Sequence, residues 1–291
     1  MLSFWFSGHP GALTLIVTLL VALALDTGFG DPPWFYRRVP HPLHLMRKGV
    51  AFAGQRIESE TLLAAATVVA GLAVGWLATR ALTFPYGWLV EGALASTLIG
   101  FRSGTDRLRR IAQELEETAQ DPAVARSTVR SIADTLAQEL VGPVVWFLLL
   151  GLPGLCAYKA LACLSRPSGS APGRLTGLPL IANWPVARLA AILTALGAIF
   201  IGGASPLRAL RIAWRDGRTT PIWPRAAVAG ALGYRIGEGR APKAGARARA
   251  RIGEGRSDLT ATDVKRSLDL IVAAGAILIA SLAGIAFLIE I

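Results

Sequence analysis

The chain has 291 residues, 53% of them hydrophobic and 17% charged, with a mean hydropathy of +0.49 and a net charge of +11. That balance excludes an ordinary soluble domain, in which roughly a quarter of the residues are charged. The basic excess does not point to nucleic acid, because no basic face interleaved with aromatics occurs and membrane topology accounts for the charge.

The first apolar run extends from the N-terminus through Gly11–Leu25. It carries no Lys or Arg ahead of it and no small-x-small cleavage site before Asp26, so it reads as a retained first span and not as a signal peptide. Asp26 to Pro42 follows as D-T-G-F-G-D-P-P-W-F-Y-R-R-V-P-H-P. The prolines stop the helix, and Asp26, Asp31, His41 and the Arg37/Arg38 pair are left at the exit of the span. A helix end anchored to lipid headgroups by Arg37 and Arg38 accounts for the same residues.

Further uncharged runs cover Thr61–Thr79, Leu140–Tyr158, Leu189–Leu207 and Leu270–Ile289, each near the roughly 20 residues that span a bilayer as helix. A sixth run, Ala81–Phe101, is interrupted by Pro85 and Glu91. The expected fold is all-α: one polytopic integral membrane domain over residues 1–291, with about five to six apolar helices. Asp106–Thr118 and Val124–Leu136 carry apolar stripes at helical spacing around Asp121-Pro122, which predicts an amphipathic hairpin over 106–139, lying on the membrane face. Gly151-Leu152-Pro153-Gly154 predicts a broken or re-entrant helix inside the next run.

Basic residues concentrate in the stretches 30–60, 102–139 and 204–267, the last holding fourteen of the 30. Basic loops stay cytoplasmic, which predicts a multi-pass protein of the cell (inner) membrane with both termini outside. If the 140–165 segment turns back, the 165–188 loop is cytoplasmic instead. The 208–266 stretch reads as a long basic cytoplasmic loop. Within it R-I-G-E-G-R occurs twice, at Arg235–Arg240 and Arg251–Arg256, a unit too short for a solenoid. Glycine flanked by arginine suits either a flexible surface loop or a phosphate contact. Thr260 or Thr262 is placed to cap the last helix.

No phosphate-binding G-x-x-x-x-G-K-[ST] loop, dinucleotide G-x-G-x-x-G, H-E-x-x-H or G-x-S-x-G motif is present. His9, His41 and His44 are too few to hold a metal without carboxylates, and the seven-residue spacing of Cys156 and Cys163 fits no zinc or redox motif. No metal ligand set is assigned. The candidates for a ligand site at the cytoplasmic face are Asp26, Asp31 and Asp134 on the acidic side and Arg188, Arg215 and Arg256 on the basic side. Glu91 and Arg188 stand out as ionisable groups within apolar runs.

In chain order, these blocks resemble the CobD/CbiB family of cobalamin biosynthesis, the adenosylcobinamide-phosphate synthases. Leu25-Asp26, Gly30-Asp31-Pro32 and His41-Pro42 match its N-terminal signature. Ser131–Asp134 with Pro143, Gly151–Gly154 and Tyr158-Lys159-Ala160 match a second block. Asn183-Trp184 with Ala187-Arg188-Leu189, Trp214–Arg218, Ala226–Gly233, and Ile252–Arg256 with Asp263-Val264 complete the series. The chain departs from the family pattern at several polar positions. Thr135 replaces an Asn, Gln138-Glu139 an Asp-Gly, Ser165 and Ala162 an Asp and an Asn, Pro179 and Leu180 paired aspartates, His44 an Arg, and Arg225 a Glu. An R-D-T motif upstream of Val124 has no counterpart.

The resemblance implies an ATP-dependent ligase that uses Mg²⁺ and joins aminopropanol, or its phosphate, to adenosylcobyric acid through an amide. It implies catalytic roles for Asp26, Asp31 and Asp134 in organising Mg²⁺ and nucleotide phosphate. Substrate or phosphate binding falls to His41, Asn183, Arg188, Arg215, Arg256 and Asp263. The expected partners are a corrinoid substrate, the lipid bilayer and other cobalamin-assembly enzymes. The lost acidic residues leave a second reading open, a catalytically degenerate paralogue that acts as a corrinoid-binding or scaffold protein. The long basic loops and the lack of an inverted repeat argue against a transporter.

Overall fold

The computed structural model describes residues 11–30, 41–117, 121–165, 177–237 and 252–290. Asp31, Arg37, Arg38 and most of the first R-I-G-E-G-R copy's charged end lie outside them. The described chain is all-α. Its helices are α1 (Ala12–Phe29), α2 (Pro42–Gly54), α3 (Glu60–Ala81), α4 (Gly87–Ile99), α5 (Phe101–Glu117), α6 (Pro122–Thr135), α7 (Gly142–Ser165), α8 (Leu178–Gly197), α9 (Pro206–Asp216), α10 (Ile222–Leu232) and α11 (Ala261–Glu290). A π turn, Leu136–Val141, joins α6 to α7.

Five segments are long and apolar enough to cross a membrane: Ala12–Phe29, Glu60–Ala81, Pro122–Leu164, Leu178–Phe200 and Ala261–Glu290. This is a polytopic all-α membrane protein. The interrupted sixth run folds differently. Pro85 lies in a turn, and Gly100, at φ 69°, ends α4 after 13 residues, only about 20 Å of helix.

The chain forms two compact units. The first comprises Met1–Ser103, Gln138–Asn183 and Ile279–Ile291. Its centre is α7, which folds back on itself. Gly151 adopts φ 69° and ψ −155°, a conformation open to glycine, and Pro153 lacks the N–H that would continue the ladder. The return is visible in the contacts. Trp146 and Tyr158 stack with ring centroids 6.4 Å apart, and a Cβ on Gly142 would fall 2.2 Å from the Tyr158 hydroxyl. Twelve residues of straight helix would separate Trp146 from Tyr158 by about 18 Å. The segment is therefore a helical hairpin. α3 packs on its returning arm through glycines: a Cβ on Gly71 would meet Ala157 Cα at 2.6 Å, and one on Gly75 would meet Pro153 Cα at 2.4 Å. Small residues allow such backbone approach between helices in lipid.

The second unit comprises Gly104–Ala137 and Trp184–Leu278. Two amphipathic helices occupy the expected stretch: Asp121 caps α6, accepting from the Ala123 N–H at 2.8 Å. Their stripes, Leu108, Ala112 and Leu115 on α5 and Ala125, Val129 and Ile132 on α6, are buried within protein. The basic 208–266 stretch is folded over much of its described length. Ser205 caps α9, and Gly230 of α10 lies so close to it that a Cβ would meet Arg208 O at 2.6 Å. The Arg208 guanidinium donates to the Gly230 and Ala231 carbonyls at 2.7 and 3.2 Å, satisfying acceptors that the end of α10 leaves open. Gly233, at φ 72°, ends that helix.

Candidate functional site

In the first unit, polar side chains serve helix ends. Asp26, 3% exposed near the end of α1, accepts from the Arg102 backbone N–H at 3.3 Å. The Arg102 guanidinium in turn reaches the Thr27 carbonyl, and that of Gly28 at 3.0 Å. Asp26 thus caps the start of α5 while Arg102 caps the end of α1. His41 is the N-cap of α2, its Nδ1 accepting from the Leu43 N–H at 3.1 Å. Asn183 accepts from the Tyr158 hydroxyl at 3.0 Å and donates to the Pro179 carbonyl at 2.8 Å.

The same unit holds an ion pair that the sequence candidates omit. Lys159, 2% exposed, donates to Glu139 Oε2 at 2.5 Å, to the Ile99 carbonyl at 3.1 Å and to the Gln138 carbonyl at 3.2 Å. Three ammonium protons thus meet three acceptors. Ile99 is the last residue of α4, so its carbonyl lacks an intrahelical donor, and the π turn takes Gln138 out of the regular ladder. The signal was present: Lys159 is a cation next to an uncharged run, and such a residue is a functional candidate by default. A small cleft beside it is lined by Leu43, Gln138, Glu139, Lys159, Ala162 and Cys163.

The second unit gathers the other candidates around the segment Ile252–Arg256. That segment docks on the chain after α10 as a short bridge: Arg235 N–H donates to Arg256 O at 2.8 Å, Ile236 N–H to Ile252 O at 3.0 Å, and Arg256 N–H to Gly233 O at 3.3 Å. Gly253 (φ 84°) and Gly255 (φ 111°) are required, since a Cβ would fall 2.2 Å from Tyr234 O at the first and 2.3 Å from Gly233 O at the second. The second R-I-G-E-G-R copy is therefore a built turn.

Polar contacts radiate from it and from the adjoining Ser257. The Gly253 N–H donates to Asp216 Oδ2 at 2.8 Å. Glu254 binds Arg215, and Arg211 at 3.6 Å. Arg256 donates to Asp263 Oδ1 at 2.5 Å. Arg126 donates to the Ser257 carbonyl at 2.9 Å. Asp263, 5% exposed, also accepts from the Tyr234 hydroxyl at 3.0 Å, the Thr260 N–H at 2.9 Å and the Thr260 hydroxyl at 3.0 Å. Thr260 directly precedes α11, and the Asp263 carboxylate takes up its backbone N–H, the half of a capping box that the third helical residue supplies. Burial, then the Asp263 charge beside it, pushes the Tyr234 phenol above its ordinary range.

Arg215 clasps Asp216 through Nε at 2.7 Å and Nη2 at 3.0 Å. Burial alone would raise the Asp216 carboxyl. The Arg215 hydrogen bonds, the Gly253 N–H and the Arg215 and Arg218 charges outweigh it and hold the group below the usual carboxylate range. Asp134 is held by Arg225 in a bidentate fork at 2.8 and 2.7 Å, which raises the guanidinium further above its ordinary value. Arg188 stacks over Trp184 at 3.9 Å and faces Trp223 at 4.7 Å, and Trp223 meets Trp214 edge-on at 5.7 Å.

The candidates therefore divide. Asp134, Arg188, Arg215, Arg256 and Asp263 belong to the second unit, together with Arg225, Asp216, Glu254 and Tyr234, to which the sequence assigned no role. Asp26, His41 and Asn183 belong to the first, where each terminates or braces a helix. Each carboxylate of the second-unit cluster is already held by a guanidinium. Among the described residues, no three His, Cys, Asp or Glu side chains stand close enough to share a metal ion.

A family model described as CobD/Cbib protein matches residues 19–123 and 117–271. Similar curated proteins carry the name cobalamin biosynthesis protein CobD. That of Sinorhizobium sp. is 32% identical, with 77% of this chain and 83% of the relative covered. That of Rhizobium meliloti (strain 1021) is 30% identical, covering 76% and 81%. That of Rhodobacter capsulatus is 29% identical, covering 75% and 80%. No solved structure gives a significant match.

Proposed function

This chain belongs to the CobD/CbiB family, and from that premise we propose that it works in cobalamin biosynthesis as a membrane enzyme, attaching aminopropanol or its phosphate to adenosylcobyric acid by forming an amide. One observation carries it. Three blocks far apart in sequence, Trp214–Arg218, Ala226–Gly233 and Ile252–Arg256 with Asp263, meet around one glycine-dependent turn. A turn built this tightly from scattered segments fixes several guanidinium groups, which suits recognition of a phosphate or carboxylate.

In this reading Arg256, with a side chain 58% exposed, and Arg215 hold the phosphate or carboxylate of the substrates. Asp216 and Asp263 orient those two arginines. Arg188, held flat between Trp184 and Trp223, offers its remaining N–H groups to a propionamide. ATP would transfer a phosphoryl group to the corrinoid carboxylate, releasing ADP; the amine nitrogen then forms the new bond to the acyl carbon as the carbon–oxygen bond to phosphate breaks and the amine gives up a proton. No step is assigned to Mg²⁺. The basic segments would face the cytoplasm across the inner membrane.

The guanidinium on every clustered carboxylate favours the second reading as well, a relative that binds a corrinoid or partner enzyme without turnover. One assay separates them. Membranes carrying the chain should form cobinamide product from adenosylcobyric acid, ATP and either aminopropanol or its phosphate, supplied separately; product no higher than in vector membranes with both amines, with insertion confirmed, rejects the enzyme. Corrinoid retained by the purified protein without ATP turnover would then establish the binding role. Arg256→Gln should lower product formation by about ten- to a hundredfold, the loss of one or two charge-assisted hydrogen bonds.

A further inference from the structure

Helix α9 has three faces. At about 100° per residue, Leu207, Leu210 and Trp214 fall on one arc, Arg208, Arg211 and Arg215 on the next, and Ala209, Ile212 and Ala213 on the far side. The far side is completely buried. Among the described residues nothing covers the first arc: Leu207 is 82% exposed, Trp214 81% and Leu210 41%. Ile199 and Phe200, at the end of the membrane-length segment Leu178–Phe200, are exposed as well. Only five residues separate that segment from Pro206. The only acidic residue on α9 is Asp216, at its C-terminal end and turned to Arg215 and Gly253.

We propose that α9 is an interfacial helix that lays Leu207, Leu210 and Trp214 into the headgroup–acyl boundary of an anionic phospholipid bilayer. Arg211 lies along the level of the lipid phosphates. Three observations favour lipid over a protein partner. The uncovered stripe begins just beyond the end of a bilayer-length helix. It ends in a tryptophan, a residue that favours the membrane interface. Its flank is basic: Arg211, Arg215 and Arg218 outnumber Asp216 and Glu254, which suits anionic headgroups. The proposal is independent of catalysis and stands whether or not the protein turns over substrate.

The test uses the full chain with Cys156→Ala and Cys163→Ala, single spin-labelled cysteines as Leu207→Cys, Leu210→Cys, Trp214→Cys or Arg218→Cys, and vesicles of phosphatidylcholine with or without phosphatidylglycerol. Electron paramagnetic resonance compares collision with oxygen, which partitions into lipid, and with a water-soluble nickel chelate. Labels at 207, 210 and 214 should favour oxygen severalfold and that at 218 the chelate. The first three should lie shallower when phosphatidylglycerol is omitted. Equal chelate access at all four sites overturns the proposal. Dipolar broadening between labels also overturns it and gives the face to a second copy, as does immobilisation without a depth difference, which gives it to another protein. Unlabelled protein provides a second measurement: Trp214→Phe should lower the fraction of tryptophan emission quenched by shallowly brominated lipid, and an unchanged fraction counts against insertion.

Discussion

The two units use charge in opposite ways. In the first, Asp26 and Lys159 are 3% and 2% exposed, and they reach backbone groups at the ends of helices. In the second, the side chains of Arg215, Glu254 and Arg256 are about half exposed and reach opposite charges. The difference follows from surroundings. An open N–H or carbonyl at a helix end has no water to turn to among apolar helices, so a fixed charge is tolerated there as its partner. A half-exposed ion pair is worth about 1 kcal/mol or less and can yield to a ligand's phosphate or carboxylate. The first unit's charges hold the fold, and the second unit's are available for exchange.

The largest effect that tests this comparison is at Lys159. Lys159→Met should remove the cation beside Glu139, whose side chain is 14% exposed, and this donor from two carbonyls, a loss of roughly 3 kcal/mol. The measurement is the thermal midpoint of monodisperse protein in detergent. Lys159→Met with Glu139→Leu should recover much of the loss, because removing both charges is far cheaper than removing one. A single variant as stable as the parent would show that Lys159 does not hold the first unit together.

Next in size is Gly151→Ala. The left-handed backbone and the fold-back at this residue should make the substitution cost on the order of 1–2 kcal/mol. Cross-linking of cysteines placed at Trp146 and Tyr158 reports on the hairpin directly, and its yield should fall in the Ala variant. Undiminished cross-linking would mean that the turn forms without the glycine.

These two residues show what was readable in the sequence. Gly151–Gly154 announced a break by composition alone, because glycine and proline act locally. Most apolar runs gave spans by length, but Leu189–Leu207 straddles the end of Leu178–Phe200 and the start of α9. The Lys159–Glu139 pair was not readable. The two residues sit at opposite ends of the run 140–158, and a straight helix would hold them about 30 Å apart; only the fold-back joins them. The docking of Gly253 and Gly255 on Tyr234 and Gly233 was hidden for the same reason. A repeated R-I-G-E-G-R looks like a loop until its distant partner is known. Asp26 and His41 were found as polar residues at an exit, but capping and catalysis call for the same side chains, so their role awaited the geometry. Asp31 lies outside the described residues.

A smaller effect is expected at Arg225. Arg225→Gln breaks its fork with Asp134, whose side chain is 28% exposed, so water can take over the carboxylate. Stability should fall by about 1 kcal/mol or less. If the second unit is the working one, product formation in membranes should fall much further than stability does. A parallel loss of both would make this pair another structural brace and weaken the contrast between the units.

The smallest effect is on acid stability and concerns Asp216. Its folded carboxyl is held below the usual range, so the native state binds that proton less readily than the unfolded chain does. The contribution is full above the unfolded value of roughly 3.9 and is lost as pH falls through the lower folded value. The thermal midpoint of the parent should therefore drop toward that of Asp216→Asn between pH 5 and pH 3, with the gap widest at the upper end. An analogous pH-dependent gap should not open for Asn183→Ala, whose partners do not titrate in that window. A gap that widens as the solution is acidified would reverse the sign of the shift. Arg215 would then contribute little to holding Asp216 charged, and the second unit's ion pairs would lose the electrostatic character that separates them from the caps of the first.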